Sequence, residues 1–570
     1  MDRLRAYRGG WLELPAENLA WQLYGAGLEN LGRNGQPARL PMPDYGPREL
    51  LARVDAIGIC ASDVKLIAQG PSHPRITGRD LAGDPVIPGH EVSLTIVGVG
   101  DDLQDRFAVG QRYVVQADIY YGGVNIAYGY ALAGGMAQYG VLGKEILEGD
   151  EGCYLIPVKP DTGYGEAALT EPWACVVASY RIHPRQTMKP GGVALFVGPP
   201  ARQRYRLPRH FRPAKAVLAA VGEAIGRSAF GSTEIVELGP IHGPELPALS
   251  QEQTGGRGFD DIVVLGRTEP ELIEHLGRHL AKGGVLNLVA EGPMARPVAI
   301  DVGRIHYDAV LHVGGREIAD GYSGSRGSEL VPGGSAWFIG AAGPMGQMHV
   351  ERAVQMKNGP SRILATDVDA ARLDALQDRV EATAKEKWID IRFVNPAGEG
   401  ETALAAAVEA LTGGAGFDDI VVLAPVPALI EEACSRLADG GVMNIFAGVP
   451  RGTIAALDLS SVYLRGVRWV GSSGSRPADL EYTLHEAESG NLATNRSVAA
   501  IGGIDAVWDG VQAVKEARFP GKIVIFPQIS RLPLVALPDL KDVLPGVYAR
   551  LDAGRFWTRA AEEELLREML

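Results

Sequence analysis

One segment of the chain is written twice, and this repeat limits the possible folds more than any other feature. The segment Thr254–Leu265 recurs as Thr412–Leu423, and the two differ only where Arg257 is replaced by Ala415. Shorter matches flank it: Lys189–Gly192 against Val331–Gly334, Gly283–Asn287 against Gly440–Asn444, and Ile300–Asp301 against Leu457–Asp458. The repeated unit is roughly 145 residues long, enough for each copy to bury a core of its own. The sequence therefore predicts a duplicated domain.

Both copies alternate short β-branched runs with helical stretches. This pattern is typical of a parallel sheet with crossover helices, so we predict two tandem doubly wound (Rossmann-type) domains, called here the first and the second copy. In the second copy, Ser335–Ile339 is a predicted buried strand. It leads into the glycine-rich turn 340–346 and then into a helix predicted to begin at about Gln347.

The glycine-rich turn of the second copy predicts a dinucleotide site. Glycines let the backbone come close to a pyrophosphate, and the helix N-terminus offers free amides and a positive dipole end. The next strand, Arg362–Thr366, is followed by Asp367, whose carboxylate would accept the ribose hydroxyls and repel a 2′-phosphate, which favours NAD+. The predicted cofactor residues are Gly340, Ala342, Gly343, Pro344, Met345, Gly346 and Asp367.

The first copy departs from this pattern after its first predicted strand, Val193–Gly198. Pro199, Pro200 and the loop 202–212 stand where the turn and the first helix would be, and proline has no N–H to offer a phosphate. The first copy is therefore predicted not to bind a dinucleotide. Its arginine-rich loop is either a solvated charged segment or a site for a substrate phosphate or an acidic surface. Glu223 is either a solvated acid or a mimic of the ribose-binding carboxylate.

Composition excludes several classes of protein. A net charge of -14 leaves no basic excess for nucleic acid or for an anionic membrane surface. The four cysteines, Cys60, Cys153, Cys175 and Cys434, form no CxxC pair, which argues against a disulfide scaffold and for a reducing compartment. The sequence shows no apolar stretch near the roughly 18 residues that span a bilayer. We expect a cytoplasmic protein that binds neither nucleic acid nor membrane.

Residues able to bind a metal stand at the ends of predicted strands in the β-like region that begins near residue 45. Cys60, His90, Glu91 and Glu171 offer a thiolate, an imidazole and carboxylates. Taken singly, each has an ordinary interpretation as a buried cysteine, a core histidine or a solvated or helix-starting acid. Together they are the ligand types that Zn2+ accepts, so the combination predicts a catalytic metal site.

The local sequence around these ligands resembles the zinc-dependent medium-chain dehydrogenases. The order Gly58-Ile-Cys-x-Ser-Asp63, then Pro88-Gly-His-Glu91, then Glu171-Pro172 opening a helix is similar to the branch with sorbitol and threonine dehydrogenases. The resemblance implies a GroES-like, β-rich catalytic domain. It also implies that Cys60 and His90 bind the zinc and that Glu91, Glu171 or both complete the sphere, exchanging with water or substrate.

The same resemblance implies roles for further residues. Ser62 matches the hydroxyl that contacts the substrate oxygen and relays its proton, and Asp63 matches a supporting acid. In the second copy, Arg372 matches an arginine near the adenosine, with a solvated helix residue as the open alternative. Ala424, Ala447 and Gly448 would lie on the nicotinamide side.

Two departures from the family pattern are evident. Residues 113–140 contain no cysteine, so we expect no second, structural zinc. The Tyr- and Gly-rich run 118–130 within them either lines a substrate cleft or only packs. Lys65 stands where some alcohol dehydrogenases end the proton relay with a histidine, which leaves the route of the proton open.

The predicted organisation is a catalytic domain (1–187), a degenerate Rossmann-like domain (188–328), an NAD-binding domain (329–474), and a return to the catalytic domain with a helical tail (475–570). The predicted activity is oxidation of a secondary alcohol of a polyol, sugar, sugar phosphate or amino alcohol by hydride transfer to NAD. The alternatives are an isomerase, epimerase or lyase with tightly bound NAD, a metal-free reductase, and a non-catalytic assembly protein. A homo-oligomer, dimer or tetramer, is expected.

Overall fold

The protein has the α/β fold that the sequence predicts, and it divides into two compact units. The computed structural model describes residues 3–198, 203–266, 268–323 and 326–570. Unit 1 comprises Met1–Val177 with Gly474–Leu570, and unit 2 comprises Ala178–Ser473. Among the described residues, we find no helix with the length and apolar character that a membrane crossing requires.

Unit 1 is built on an eight-stranded, largely antiparallel sheet. In order across the sheet, its strands are Val535–Ala536, Val498–Gly503, Lys522–Phe526, Leu50–Ile59, Glu91–Val99, Arg112–Val115 and Leu155–Val158, with Tyr139–Leu142 paired beside this path to Leu50–Ile59. Two small hairpin-like sheets join Glu17–Ala20 to Ala38–Pro41 and Tyr120–Tyr121 to Val124–Asn125. The helices are Arg3–Arg8, Ala61–Gln69, Lys144–Leu147, Tyr164–Ala168, Thr170–Ser179, Pro477–Glu488, Val507–Lys515, Leu540–Val543, Pro545–Tyr548 and Arg559–Met569.

The central strand Leu50–Ile59 is buried along its whole length, although its sequence alternates apolar and polar residues. Its polar members are paired inside the protein. Arg53 Nε donates to Asp55 Oδ1 at 2.7 Å, and the Thr95 hydroxyl donates to Asp55 Oδ2 at 2.5 Å. The Arg53 guanidinium also stacks on Tyr7, with its carbon 3.5 Å from the ring centroid. Because each of these buried charges has a partner, the strand can be buried on both faces although it carries charged side chains.

This strand places two candidate ligands side by side. Cys60 directly follows the last residue of this strand. The neighbouring strand Glu91–Val99 begins at Glu91, which pairs with Gly58 in the register. A side chain at Gly58 would collide with Glu91 Oε2, so a glycine is required there. His90 stands immediately before the neighbouring strand. The sheet thus brings together residues that are thirty positions apart in the chain.

Unit 2 contains two six-stranded parallel sheets with the same strand order. The first sheet runs Glu234–Leu238, Lys215–Ala219, Val193–Val197, Phe259–Leu265, Leu280–Val289, Leu311–Gly315, and the second runs Asp390–Val394, Arg362–Thr366, Ser335–Ile339, Phe417–Val422, Leu437–Ile445, Arg468–Val470. The strands Val298–Asp301 and Ile454–Leu457 pair with each other, outside both sheets. The helices are Leu246–Thr254, Pro270–Arg278, Val302–Asp308, Pro344–Gln355, Ala370–Glu386, Pro396–Glu399, Glu401–Thr412, Pro427–Ser435 and Ser460–Leu464. The identical order confirms the predicted duplication, whereas the domain boundaries at 187, 328 and 474 stay predictions.

The C-terminal tail is part of unit 1. The helix Arg559–Met569 places Glu562 against the start of the helix Tyr164–Ala168, where the carboxylate accepts the amide N–H of Tyr164 at 2.5 Å and of Gly165 at 2.9 Å. Glu562 is 4% exposed, and burial raises the pKa of this carboxyl. One acid therefore satisfies two amides that the short helix leaves without an internal partner.

We expect Glu562→Ala to lower the free energy of unfolding by about 2 kcal/mol, because two buried N–H groups lose their acceptor. Glu568→Ala is the matched control, since this glutamate is exposed on the same helix and its removal should change stability by less than about 0.5 kcal/mol. Urea unfolding measures the change, and hydrogen exchange of residues 163–169 localises it. Equal stability of the two variants would contradict the capping role.

Candidate functional site

Three of the predicted ligands form one cluster in unit 1. A sulfur of Cys60, a ring nitrogen of His90 and a carboxylate oxygen of Glu91 lie within 4.8 Å of one another. His90 and Glu91 are buried, and Cys60 is half-buried. The cluster is positioned by the end of the central strand and the start of its neighbour, both of which are held by the sheet.

Asp63 and Ser62 contact the cluster from the first turn of the helix Ala61–Gln69. Asp63 Oδ2 accepts the Cys60 N–H at 2.9 Å, and its Oδ1 lies 3.2 Å from His90 Nδ1. The Ser62 hydroxyl lies 3.1 Å from Cys60 Sγ and 3.3 Å from His90 Nε2. Burial lowers the pKa of His90, but the neighbouring Asp63 and Tyr130 raise it, and the net result is a pKa well above the usual range. Asp63 thus fixes one ring nitrogen and leaves the other facing Ser62.

Glu91 has a buried cationic partner that the sequence did not reveal. Lys522 Nζ donates to Glu91 Oε1 at 2.5 Å, and the lysine is 4% exposed. Burial lowers the pKa of Lys522, while Glu91 and Cys60 raise it, with a net increase. The other carboxylate oxygen, Glu91 Oε2, is buried and has no hydrogen-bond partner among the described residues. One oxygen of Glu91 is therefore neutralised and the other is available to a ligand.

Glu171 lies in the same electrostatic environment, on the helix Thr170–Ser179. Burial raises the pKa of Glu171 to about 7, with His90 opposing and Glu91 adding to the increase. Cys175 follows one helical turn later, and burial, then the charges of Glu171, Asp118 and Cys60, raise the pKa of this thiol. Glu171 contributes no atom to the compact cluster of Cys60, His90 and Glu91, although its charge interacts with those of His90 and Glu91.

Aromatic and basic side chains surround the cluster on one side. The Tyr130 ring lies 5.8 Å from the His90 ring and 5.3 Å from the His73 ring, measured between centroids. The Arg75 guanidinium stacks 4.7 Å from the Tyr130 centroid and pairs with Asp118 at 2.6 Å. Tyr130 belongs to the Tyr- and Gly-rich run, so part of that run does line the surroundings of the site.

Lys65 is exposed on the helix Ala61–Gln69. Nearby His73 is buried, and its pKa is lowered to about 4 by burial and then by the charges of Arg75 and Lys65. A histidine with so low a pKa is neutral near neutral pH.

The residues present fit a zinc ion. Zinc ligands stand about 2.0–2.3 Å from the metal, so a set of this spread is close to the span of one coordination sphere. The unpartnered Glu91 Oε2 is the kind of buried polar atom that a cation satisfies. A metal-binding histidine ordinarily has its other nitrogen held by a carboxylate, which is the contact between His90 and Asp63. Cys60, His90 and Glu91 would hold the ion, and Glu171 is a further carboxylate that could complete the coordination sphere.

The turn of the second copy is closely packed at Gly340 and Gly346 and open at Gly343. Gly340 has φ +80°, and a Cβ there would lie 3.2 Å from the Ala424 amide nitrogen. A Cβ at Gly346 would collide with the Gly340 carbonyl, whereas one at Gly343 would meet nothing closer than 3.9 Å. Gly340 and Gly346 are thus needed for packing, and Gly343 leaves space at the helix N-terminus.

The helix after this turn begins at Pro344, not at Gln347 as predicted. Proline is preferred at the first helical position because its missing N–H would have no helical partner there. The strands Ser335–Ile339 and Arg362–Thr366 are confirmed.

The other predicted cofactor residues lie as follows. Asp367 follows its strand and accepts the Ala342 N–H at 2.9 Å, so the acid and the turn are joined. Arg372 pairs with Asp369, with 3.3 Å between Nε and Oδ2, at the start of the next helix. Ala424 lies against Gly340, while Ala447 is buried and Gly448 exposed. Met345 occupies the second position of the helix that Pro344 begins. Their contact with a dinucleotide stays a prediction.

In the first copy, the segment after Val193–Val197 holds apolar side chains where the second copy has its turn and helix. Tyr205, Leu207 and Phe211 are buried against the first sheet. Glu223 lies at the surface and pairs with Arg204 at 3.5 Å, so it is a solvated acid. Pro199, Pro200 and Arg202, on which part of the sequence prediction rests, lie outside the described residues.

The chain is similar to known dehydrogenases. The model of the alcohol dehydrogenase GroES-like domain matches residues 46–148. The chain is 22% identical to a mannitol-1-phosphate 5-dehydrogenase of Aliivibrio fischeri over 539 residues, covering 92% of this chain and 93% of that one. It is 23% identical to an L-sorbose 1-phosphate reductase of Klebsiella pneumoniae over 529 residues, with the same coverage.

A solved alcohol dehydrogenase of Thermotoga maritima has the same fold. Its TM-score is 0.52 at 13% identity, and the match covers 90% of this chain and all of the other. The chain therefore contains an alcohol dehydrogenase GroES-like domain, is similar over almost its whole length to a dehydrogenase and a reductase named for phosphorylated polyols and sugars, and has the fold of a solved alcohol dehydrogenase.

Proposed function

We propose that the protein is a zinc- and NAD-dependent oxidoreductase that oxidises a secondary alcohol of a polyol phosphate or sugar phosphate to the ketone. The observation that carries the proposal is the cluster of Cys60, His90 and Glu91 with the Ser62 hydroxyl between sulfur and ring nitrogen. Zn2+ held there would supply a Lewis acid that lowers the pKa of an alcohol. NAD+ bound at the turn 340–346 would supply the hydride acceptor.

Each side chain of the cluster has a task in this proposal. Cys60, His90 and Glu91 are the metal ligands, and Glu171 is the acid that exchanges with water or substrate. Asp63 holds the His90 ring through Nδ1, which leaves Nε2 to the metal side. Lys522 holds Glu91 through one oxygen and gives this buried acid a cationic partner.

Ser62 is the proposed acceptor of the proton that leaves the alcohol. Its hydroxyl is within hydrogen-bond distance of two of the proposed ligand groups, so a substrate oxygen at the metal side would be within its reach. Lys65 is exposed on the same helix, and we propose that the proton leaves to solvent on this side.

The phosphate of the substrate is proposed to bind Arg75. Both full-length relatives named above act on phosphorylated substrates. In this chain, the Arg75 guanidinium lies over the Tyr130 ring, which in turn lies beside His90. An arginine is well suited to a phosphate because it offers parallel N–H donors. The pairing with Asp118 keeps the guanidinium in place before substrate binds.

The metal assignment predicts a loss of zinc from single variants. We expect Cys60→Ala and His90→Ala to lose about one zinc per chain, because three protein ligands are the usual minimum of a catalytic site. The control is Cys153→Ala, a half-buried cysteine outside the cluster. Elemental analysis of protein purified with zinc gives the stoichiometry, and circular dichroism verifies the fold. Unchanged zinc in folded Cys60→Ala would refute the assignment.

The reaction is tested with a panel of polyols, sugars, their phosphates and amino alcohols, offered with NAD+ and, separately, with NADP+. We expect NADH to form, as absorbance at 340 nm, with a phosphorylated secondary alcohol, and NAD+ to be preferred because Asp367 repels a 2′-phosphate. Cys60→Ala should abolish the signal. Product formed without net NADH would instead indicate an isomerase, epimerase or lyase with bound NAD.

The phosphate assignment predicts a change in KM only for phosphorylated substrates. Loss of a charge-assisted hydrogen bond costs about 1.5–3 kcal/mol, so Arg75→Gln should raise that KM about tenfold or more. The KM of the matching unphosphorylated polyol should stay within about twofold. Arg39→Gln, at an exposed arginine paired with Glu17, is the control. An equal rise in KM for both substrates would show that Arg75 does not recognise phosphate.

A further inference from the structure

The two copies contact each other through equivalent segments. The match of Ile300-Asp301 with Leu457-Asp458 extends without a gap from 298–315 to 455–472. In this alignment His306 is equivalent to Tyr463, His312 to Trp469 and Gly314 to Gly471. Residues with the same place in the two copies can therefore be compared across the contact.

The register of the strands between the copies is symmetric. Val298–Asp301 runs antiparallel to Ile454–Leu457, with Ala299 opposite Ala456, and these two alanines are equivalent in the alignment. On either side, Val298 pairs with Leu457 and Ile300 pairs with Ala455, which is the same pairing with the copies exchanged. A twofold axis relating the copies must therefore pass between the two alanines.

The backbone amides of Ala299 and Ala456 make equivalent hydrogen bonds. Ala299 N donates to Glu274 Oε1 at 3.0 Å, and Ala456 N donates to Glu431 Oε1 at 2.7 Å. Glu274 and Glu431 are again equivalent in the two copies. Because each amide is bonded within its own copy, the alanines form a pair without mutual hydrogen bonds, the close type of antiparallel pair.

The symmetry extends beyond the strands. A Cβ at Gly314 would lie 2.7 Å from Tyr463 Cβ, and a Cβ at Gly471 would lie 2.8 Å from His306 Cα, so each glycine admits the equivalent helix of the other copy. The equivalent rings of His312 and Trp469 lie 5.6 Å apart between centroids, tilted by 52° to each other. Contacts in which residue i meets j and the equivalent of j meets the equivalent of i are the mark of a twofold interface between identical subunits.

The contact is apolar as well as symmetric. Val298, Ile300 and Leu457 are each less than 5% exposed and belong to one apolar cluster that continues into the cores of both copies. A face of this kind, left uncovered, would present an unpaired strand beside apolar surface, which invites association with another chain.

We propose that the first copy is a built-in partner that closes the twofold face of the second copy within the same chain. The first copy then has a use that needs no dinucleotide, and no second chain binds at this face. A homo-oligomer of the protein, if formed, would use other surfaces.

The first copy also supports a loop of the second copy. Asp308 pairs with Arg451 at 2.8 Å, and the Tyr307 hydroxyl lies 3.3 Å from where a Cβ of Gly448 would stand. If the proposed cofactor role of Gly448 holds, the first copy steadies that site. The proposal about the face itself does not depend on it.

The test is a cysteine pair on the symmetry axis. In the full-length chain, A299C/A456C should form a disulfide within one chain under mild oxidation, because the close antiparallel pair falls within disulfide geometry. Non-reducing gels should show a chain of single length with altered mobility, and intact-mass measurement should show loss of the thiol hydrogens. Both positions reach the surface, Ala456 exposed and Ala299 half-buried, so the substitutions are compatible with folding.

The controls separate a contact within one chain from a contact between chains. The wild-type chain, which keeps its four cysteines, and the single variants A299C and A456C should stay free of the new disulfide under the same oxidation. A mixture of the two single variants should give no cross-linked pair of chains. A two-chain product from the mixture or from the double variant would overturn the proposal, as would a double variant whose new thiols both remain reduced.

A second variant keeps the proposal testable apart from the disulfide chemistry. G314L and G471L, each placed in the A299C/A456C background, should both slow disulfide formation, by about tenfold or more if about 1.4 kcal/mol of the interface is lost. G314L should have the larger effect, because a Cβ at Gly314 would also collide with the Leu288 carbonyl oxygen of its own copy, whereas the atoms nearest to a Cβ at Gly471 belong to the other copy. Normal disulfide formation in both variants would show that these close contacts do not hold the copies together.

Discussion

The candidate metal centre depends on how several acids are buried in one place. Asp63, Glu91 and Glu171 are 0%, 0% and 8% exposed, and a buried carboxylate is costly unless a cation or hydrogen bonds compensate it. Lys522 compensates Glu91, and His90 lies beside Asp63. Burial raises the pKa of Glu171, and the charge of His90 offsets this increase only in part. A divalent cation among the ligands would balance the remaining negative charge.

The sheet of unit 1 explains why these groups meet although they are far apart in the chain. The strand Leu50–Ile59 pairs with Glu91–Val99 on one side and with Lys522–Phe526 on the other. Gly58 stands opposite both Glu91 and Val524, so the register brings the start of each neighbouring strand to the end that carries Cys60. The strand Lys522–Phe526 thereby supplies the lysine that pairs with Glu91. One strand register around Gly58 therefore positions both the candidate metal ligands and Lys522, the cation that pairs with Glu91.

Local signals were enough to predict much of this arrangement. The strands around the glycine turn follow from short local patterns, and the duplication follows from the repeated segment itself. Cys60 and His90 are thirty positions apart, and they were predicted together because they are zinc-ligand types in motifs that resemble a known family. Lys522 was missed because its partner is 431 positions away, and nothing local marks it. Cys175 had a usable signal, its spacing of four from Glu171 on one helix, which places both on the same face.

The burial of Tyr205 and Leu207 in the first copy could also have been predicted from the sequence. Arg204, Tyr205, Arg206 and Leu207 alternate, and the structure buries the tyrosine and the leucine. The arginines drew attention to charge, whereas the residues between them fill the place of the missing helix. The stretch is thus defined by what it packs and only secondarily by its charge.

The first copy has lost the glycine turn but kept the contact face, and the symmetry of that face explains the difference. On a twofold face each contact has an equivalent, so a change at one position in both copies would disturb the interface twice, whereas the turn of each copy faces only its own surroundings. Once the two copies are joined in one chain, the turn of one can lose its glycines without affecting the face. The small asymmetries at the face, His312 against Trp469 among them, show that its positions too can differ, provided that the two rings still pack against each other. A single chain can in this way keep the shape of a symmetric pair while only one half retains the residues for a dinucleotide.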